Sequence, residues 1–285
     1  MRLLKFALPV LLCVNALNMQ AQKPLTVMTF NLRLNIAVDS LNAWPYRKDI
    51  AASQVTFFDV DILGVQEALY VQITDLQQRL PQYKYAGVGR DDGKTKGEFS
   101  AIFYDTTRLR CLKNETFWLS QTPTVAGAKG WDAAYPRIVT WCFFEDKLSH
   151  KKFYAFNTHF DNMGKIARAE SAKMLLQKVK DITDNFPVIV TGDFNANADD
   201  EPIQIIVDKS NPDHLTETKN ISETPHYGPD GTFNGFTSKE TDERAIDHIF
   251  IKNKLTVLKH ATISESWNGR FSSDHFPVLA EISLQ

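Results

Sequence analysis

Apolar residues along this chain switch between a period of about two and a period of about 3.6 several times, which predicts strands and helices in alternation. Leu25-Thr26-Val27-Met28-Thr29-Phe30 and Ile62-Leu63-Gly64-Val65 read as strands, and so does the short apolar run Pro187-Val188-Ile189-Val190. Between the first two, Trp44-Pro45-Tyr46-Arg47 opens a helix running to about Phe58, with Pro45 suited to a first turn. A second helix covers about 69–80. The clearest amphipathic pattern lies at 166–182, where Ala172, Leu175, Leu176, Val179 and Ile182 recur at helical spacing with Lys173, Lys178 and Lys180 between them. Such a helix packs one face on a sheet, and residues 201–208 predict another helix.

The middle of the chain reads differently. Strand-like runs at 83–88, 100–104, 109–119, 138–144 and 153–156 lie close together, and little helical periodicity interrupts 81–158, which favours antiparallel pairing. Further strands at 245–251, 255–263 and 277–282 close the chain, while 87–97 and 228–235 are loop-rich. These elements predict an α+β fold of two mainly antiparallel sheets packed face to face, with helices outside. The chain has 285 residues and no linker interrupts the strand signals, so residues 22–285 are expected to form one domain.

The first residues stand apart. A basic start, Met1-Arg2-Leu3-Leu4-Lys5, precedes a mostly apolar stretch to Leu17, and Ala16 and Ala21 offer small residues for cleavage. Residues 1–21 read as a secretory signal peptide, so the protein is expected to be exported, periplasmic or secreted. Asn15 and Asn18 break the run short of the roughly 18 apolar residues a transmembrane anchor wants. Cys13 follows Leu12, which is larger than the residue a lipoprotein cleavage site expects, so lipidation is the lesser reading. The formal net charge is −2, and loss of Arg2 and Lys5 makes the mature chain more negative. A negative protein has no general attraction for a polyanion, which argues against a DNA-coating role. Cys111 and Cys142 fall in strand-like runs, so one disulfide is possible and none is required; both read as core thiols.

Polar residues collect where these strands end. Phe30-Asn31 ends one, Val65-Gln66-Glu67 another, Phe156-Asn157-Thr158-His159 a third, and Val190-Thr191-Gly192-Asp193-Phe194-Asn195 a fourth. Ala245-Ile246-Asp247-His248 lies within a strand, and Ser273-Asp274-His275 precedes the last one. In order and spacing this set resembles the endonuclease/exonuclease/phosphatase superfamily of metal-dependent phosphoesterases, over the whole mature chain. The resemblance implies a DNase I-like four-layer α/β sandwich. His159, in Asn-Thr-His, is similar to the sphingomyelinase and deadenylase branch, where the apurinic-endonuclease type has a tyrosine.

The resemblance also implies roles. Cleaving a phosphate ester requires neutralisation of charge developing on the phosphoryl oxygens and a positioned water that loses a proton. Glu67 is then a ligand for Mg²⁺ or Mn²⁺, with Asn31 beside it and Asp274 serving a second metal position or positioning the first. Asp193 is the general base, and Asn195, two residues on along an extended chain, orients the water or phosphate. His275 donates to a phosphoryl oxygen, with Asp247 holding its other ring nitrogen and favouring its charged form. His159 contacts phosphate. Taken singly, each has an ordinary structural explanation: Glu67 as a helix cap, Asp193-Phe194-Asn195 as an Asx turn, His275 as a loop histidine. Six such explanations in the family's order do not fit together as well as one site. His248 falls where the pattern wants no particular side chain and is expected to be structural.

Outside the core motifs, Arg137 starts a strand where several family members place an arginine near the phosphate. Arg90, Lys94 and Lys96 are expected to form a positive lip, with Glu98 as a further polar wall of the site. Trp131, Tyr135, Phe233 and Phe236 could stack on a base, sugar or apolar group, or anchor their own loops. Asn195 is followed by Ala196-Asn197, and Asp247 is preceded by Arg244-Ala245-Ile246, neither of which matches a standard inositol-polyphosphate 5-phosphatase. DNA repair and deadenylation do not suit an exported chain. The remaining substrates are nucleic acid, a lipid headgroup or a phosphosugar, with no stable protein partner implied. The alternative to a hydrolase is a catalytically silent binding protein of the same fold that recognises a phosphorylated glycan or lipid headgroup.

Overall fold

The computed structural model describes residues 23–238 and 244–285, so the signal peptide expected at 1–21, with Cys13, lies outside the described residues. The chain runs β1 (Leu25–Asn31), α1 (Lys48–Phe57), β2 (Ile62–Gln66), α2 (Tyr70–Arg79), β3 (Tyr83–Ala86), β4 (Ile102–Asp105), β5 (Leu109–Trp118), β6 (Ile138–Asp146) and β7 (Lys152–His159). It continues through α3 (Lys165–Thr183), β8 (Val188–Asp193), α4 (Glu201–Val207), β9 (Thr216–Glu217), α5 (Thr218–Ile221), β10 (Asp247–Lys252), β11 (Leu255–Thr262) and β12 (Val278–Leu284). Two six-stranded sheets result, in the orders β11-β12-β1-β2-β4-β3 and β5-β6-β7-β8-β10-β9. Each is antiparallel except for one parallel pair, β1 with β2 and β7 with β8, connected through α1 and α3. Parallel pairing sets strand ends side by side: Asn31 lies beside Gln66, and His159 beside Asp193.

Three apolar cores define four layers. Met28, Phe30, Leu63 and Val65 face outward from the first sheet onto Ala51, Val55, Ile73 and Leu76 of α1 and α2. Val139, Phe156, Val188 and Val190 do the same for the second sheet against Leu175, Leu176 and Val179 of α3 and Ile203 of α4. Between the sheets lie Leu25, Val27, Ile62, Phe144, Phe153, Ala155, Ile189, Ile249, Ile251, Val278, Ala280 and Ile282. Strand alternation continues this inward row into Thr29 and Asn31 of β1, Gly64 and Gln66 of β2, Asn157 and His159 of β7, and Thr191 and Asp193 of β8. The inter-sheet layer is therefore apolar at one end and polar at the other.

That polar end is closely knit. Gln66 Nε2 donates to Asn157 Oδ1 across the sheets (2.7 Å), and Asn157 Nδ2 donates to Val65 O (2.9 Å) and Ala101 O (3.0 Å). A Cβ on Gly64 would sit 2.3 Å from Thr191 Oγ1 and 2.6 Å from Asn157 Oδ1, so glycine there is what admits the network. Asn157 and Gln66 thus join the sheets rather than face a ligand.

Three details differ from the sequence expectations. The first helix starts at Lys48, because two 3₁₀ segments, Ala37–Asn42 and Trp44–Tyr46, occupy the approach and Arg47 is the cap between the second of them and the helix. The short β9 and α5 carry too little periodicity to be read. Both thiols are free and Cys142 is in the core as read, but Cys111 is partly exposed. Among the described residues, no helix is long and apolar enough to cross a membrane.

Candidate active site

The polar strand ends open into a cleft of about 590 Å³ lined by Arg33, Leu34, Glu67, Glu98, Tyr135, Arg137, His159, Asn162, Asp193, Asn195, Phe233, Ile246, Asp274 and His275. Asp193, the last residue of β8, stands at its base between His159 of β7 and Asp247 of β10, its register partners. From the facing sheet, Asn31 Nδ2 donates to Asp193 Oδ2 (2.8 Å) and lies 3.3 Å from Glu67 Oε1, while Asn31 Oδ1 accepts from Arg33 N (2.9 Å). One carboxamide therefore sets the spacing of two carboxylates across the sheets.

The His275 ring is placed by Asp247, whose Oδ2 is 2.8 Å from Nδ1, which leaves Nε2 3.9 Å from Asp193 Oδ2. Burial opposes charge on His275, but Asp247, with Asp193 and Asp274 behind it, outweighs burial and lifts its pKa to about 10. The ring is protonated at neutral pH and offers Nε2–H to the cleft. The Asp193 pKa is raised as well, here in favour of the neutral form: burial, with the charge of Asp247 adding to it, pushes it up to about 7, and His275 partly opposes the rise. A carboxylate at that value is a competent general base near neutrality. The phenyl ring of Phe233 packs edge-on against His275 at 5.2 Å.

Asn195 departs from the extended geometry expected of it. Its φ is +47°, its N–H is bonded to Asp193 Oδ1 (2.9 Å), and the chain turns there instead of continuing the strand. The turn that reads as a structural alternative in sequence is how the side chain reaches the site. Asn195 Nδ2 donates to Phe160 O (3.0 Å), which fixes the amide, and to His159 Nε2 (3.0 Å), leaving Oδ1 for a ligand. His159 consequently carries its proton on Nδ1, a buried atom with no hydrogen-bond partner among the described residues, 3.9 Å from Glu98 Oε2. Burial, aided by Arg137 and Arg90, drives its pKa well below 6.5, so this histidine is neutral. Glu67 is likewise left-handed (φ +58°), a strain of order 1 kcal/mol that aims its carboxylate inward, where Oε2 accepts from Leu34 N (3.1 Å).

The donor set fits a hard divalent cation. Glu67, Glu98, Asp193 and Asp274 all line the cleft. Asp274 is buried, and among the described residues its carboxylate has a 3.7 Å ion pair to Arg33 Nε and a 3.3 Å contact from the Ser273 hydroxyl. Glu67 and Asp274 are the oxygens available for ligation, since Asn31 turns its nitrogen toward the carboxylates. Asp193, Asp247 and His275 also bring ligand-type atoms within 4.8 Å of one another. Their geometry is that of a proton-holding pair beside a base, because His275 Nδ1 is already bonded to Asp247 and Asp247 does not line the cleft.

The outlying residues divide. Glu98, Arg137 and Tyr135 reach the cleft. Arg90 does not form a lip: it is buried behind Glu98, bonded to Oε2 at 2.6 Å, because a carboxylate in the wall requires a partner behind it. Lys94 and Lys96 point their backbone N–H groups at Asp92 in an exposed turn. Phe236 packs under Arg47, and His248 is buried against Glu217 (2.7 Å) and Ala196 O, a structural residue as expected. Sequence reasoning missed Arg33, which pairs with Asp39 and Asp274, and Asp161, whose carboxylate orders the loop beyond β7. Asp161 lies two residues past His159, and that proximity was its only signal.

The endonuclease/exonuclease/phosphatase family model matches residues 28–275. An endonuclease/exonuclease/phosphatase from Bacteroides vulgatus superposes with a TM-score of 0.88 and 38% identity, covering 93% of this chain and all of that one. A mannosyl-6-phosphatase of Bacteroides thetaiotaomicron gives a TM-score of 0.86 and 39% identity, over 91% of this chain and 100% of that one. An uncharacterised protein of Acanthamoeba polyphaga mimivirus is 28% identical over 255 residues, 84% of this chain and 92% of its own length. On this match and this site, the chain belongs to the endonuclease/exonuclease/phosphatase family and is a phosphoric ester hydrolase.

Proposed function

We propose that the chain is a Mg²⁺- or Mn²⁺-dependent phosphomonoesterase acting on a phosphorylated sugar. The observation that carries this reading is the convergence of His275 Nε2 and Asp193 Oδ2, 3.9 Å apart, at the base of a compact cleft of small-molecule size. Asp193 takes the proton of the attacking water, Asn195 Oδ1 orients that water, protonated His275 donates to a phosphoryl oxygen, and the P–O bond to the sugar breaks as its oxygen takes a proton from solvent. Glu67 and Asp274 would hold the cation, which supplies neutralisation of the charge developing on the phosphate. Similarity to the mannosyl-6-phosphatase supports a sugar monoester over a diester. The basic and then apolar start of the chain supports export, which N-terminal sequencing of protein recovered outside the cytoplasm tests.

The functional test compares mannose 6-phosphate, p-nitrophenyl phosphate and bis-(p-nitrophenyl) phosphate with Mg²⁺, Mn²⁺ or chelator. Metal-dependent turnover of the monoesters is expected. Turnover of the diester alone would replace the sugar reading with a nucleic acid or lipid headgroup.

A further inference from the structure

We propose that the end of the cleft over β6 and β7 is a subsite for the hydroxyl groups of a sugar leaving group, with Arg137 as its donor and Asp161 as the positioning residue that aims it; this rests on the sugar-phosphatase reading. Arg137 immediately precedes β6, whereas Asp193 ends β8, with β7 between them. Two strand spacings, about 10 Å, separate their backbones. The Arg137 side chain is held by its own bonds, Nε to Asp161 Oδ2 (3.2 Å) and Nη2 to Asn162 Oδ1 (3.2 Å). One edge of the guanidinium is thus occupied. Nη1, on the other side, is buried and has no hydrogen-bond partner among the described residues, although Arg137 is only 4% exposed and lines the cleft. A buried cationic donor without an acceptor is costly unless a ligand completes it.

The facing wall identifies the class of ligand. Glu98 commits Oε2 to Arg90, and its carboxylate lies in the same cleft as Arg137. Tyr135 is in contact with both guanidinium groups, 5.0 Å from Arg90 and 5.8 Å from Arg137, and its half-exposed ring borders the space. A donor, an acceptor and an aromatic face match hydroxyl groups, which both give and take hydrogen bonds; Glu98 would repel a second phosphate.

Asp161 is buried, and its two oxygens accept from five donors. Oδ2 takes Ala134 N (3.1 Å), Tyr135 N (3.3 Å) and Arg137 Nε; Oδ1 takes Met163 N (3.0 Å) and Gly164 N (2.7 Å). This one carboxylate ties the loop carrying Tyr135 and Arg137 to the loop carrying Asn162. Its influence on turnover acts through those three side chains, without contact with the reacting phosphate.

The experiment measures kcat/KM of wild type, Arg137→Gln and Asp161→Asn on mannose 6-phosphate and on p-nitrophenyl phosphate, which has no sugar hydroxyls. The ratio of the two values is expected to fall about tenfold or more in both variants, mainly through KM for the sugar. An unchanged ratio in Arg137→Gln, with wild type active on both substrates, overturns the subsite and leaves the sugar-phosphatase reading standing. Wild type active on p-nitrophenyl phosphate and inactive on mannose 6-phosphate overturns that reading and the subsite with it. If Asp161→Asn does not fold, Arg137→Gln alone decides.

Discussion

The two ends of the layer between the sheets both bury charge, and they handle it in opposite ways. At the end remote from the cleft, Arg108 pairs with Asp61 (3.1 Å) and Asp146 (3.4 Å) and also donates to the carbonyls of Lys23 and Pro24. Asp61 accepts from Thr26 N (2.8 Å), and Asp146 from the Ser149 hydroxyl (2.7 Å). No buried side-chain atom of the three is left without a partner among the described residues. At the cleft end, Asp247 Oδ1, His159 Nδ1 and Arg137 Nη1 are buried without a hydrogen-bond partner among the described residues, and Asp193, Glu67 and Asp274 line one space. Buried charge by itself therefore says little about function. Incomplete satisfaction around an accessible space is what separates a site from a clip.

Substitution should split the two ends cleanly. Asp193→Ala is expected to lower kcat by about 10³-fold or more, while the melting temperature holds or rises, since a buried carboxylate with a raised pKa is a cost to the fold. A melting temperature that falls with the activity would erase the contrast. Arg108→Met, at the other end, is expected to cost about 3–5 kcal/mol in denaturant unfolding, because two carboxylates lose their cation. Its folded fraction should retain wild-type kcat. Asp247→Asn should reduce kcat by roughly 10²-fold by withdrawing the charge that keeps His275 protonated, and the alkaline limb of the rate profile should move to lower pH.

The smallest effect concerns pH and stability at the remote end. Burial raises the Asp61 pKa from 3.8 to about 6, against the Thr26 N–H and Arg108. A group bound more tightly by protons in the folded state contributes stability that is full below pH 3.8 and lost as pH rises through about 6. Asp146 is shifted the other way: burial opposes its charge, but the Ser149 hydroxyl, the Leu148 N–H and Arg108 outweigh it. Its contribution is present above pH 3.8 and is lost on acidification. At pH 8, Asp61→Asn should consequently destabilise less than Asp146→Asn, and unfolding of the two variants in urea ranks them. The reverse order would mean that Asp61 is stabilised as an anion by Arg108.

Much of the site was legible because its residues interrupt a strong local pattern. Asn31, Glu67, His159, Asp193 and Asp274 each follow an apolar run or precede one, where an unpaired polar group needs a reason to be buried. Asp247 announced itself by entering a strand, and its bond to His275 is as expected. Arg90 was misread as a surface lip because a charged residue in a glycine-flanked loop gives no sign of its burial. The burial of Asp161 and Arg47 was missed because their partners are set by loop paths, not by neighbouring sequence. Arg47 is fully buried and donates to the carbonyls of Leu32 (2.9 Å) and Ser272 (2.7 Å), holding the loop after β1 against the loop before β12. Those partners are 15 and 225 residues away, beyond any local pattern.

What the sequence determined by itself was the longer strands and helices, their inward and outward faces, and the point along those strands where the inward face turns polar. A period of two or 3.6 is a local property, set by backbone geometry and by the need to bury one face. What only the tertiary structure decided was which polar ends meet, which carboxylates are satisfied and which atoms are left facing the cleft. Those outcomes depend on register, sheet order and loop paths, so Asp193 finds Asn31 across 162 residues of chain only once both sheets have formed and packed.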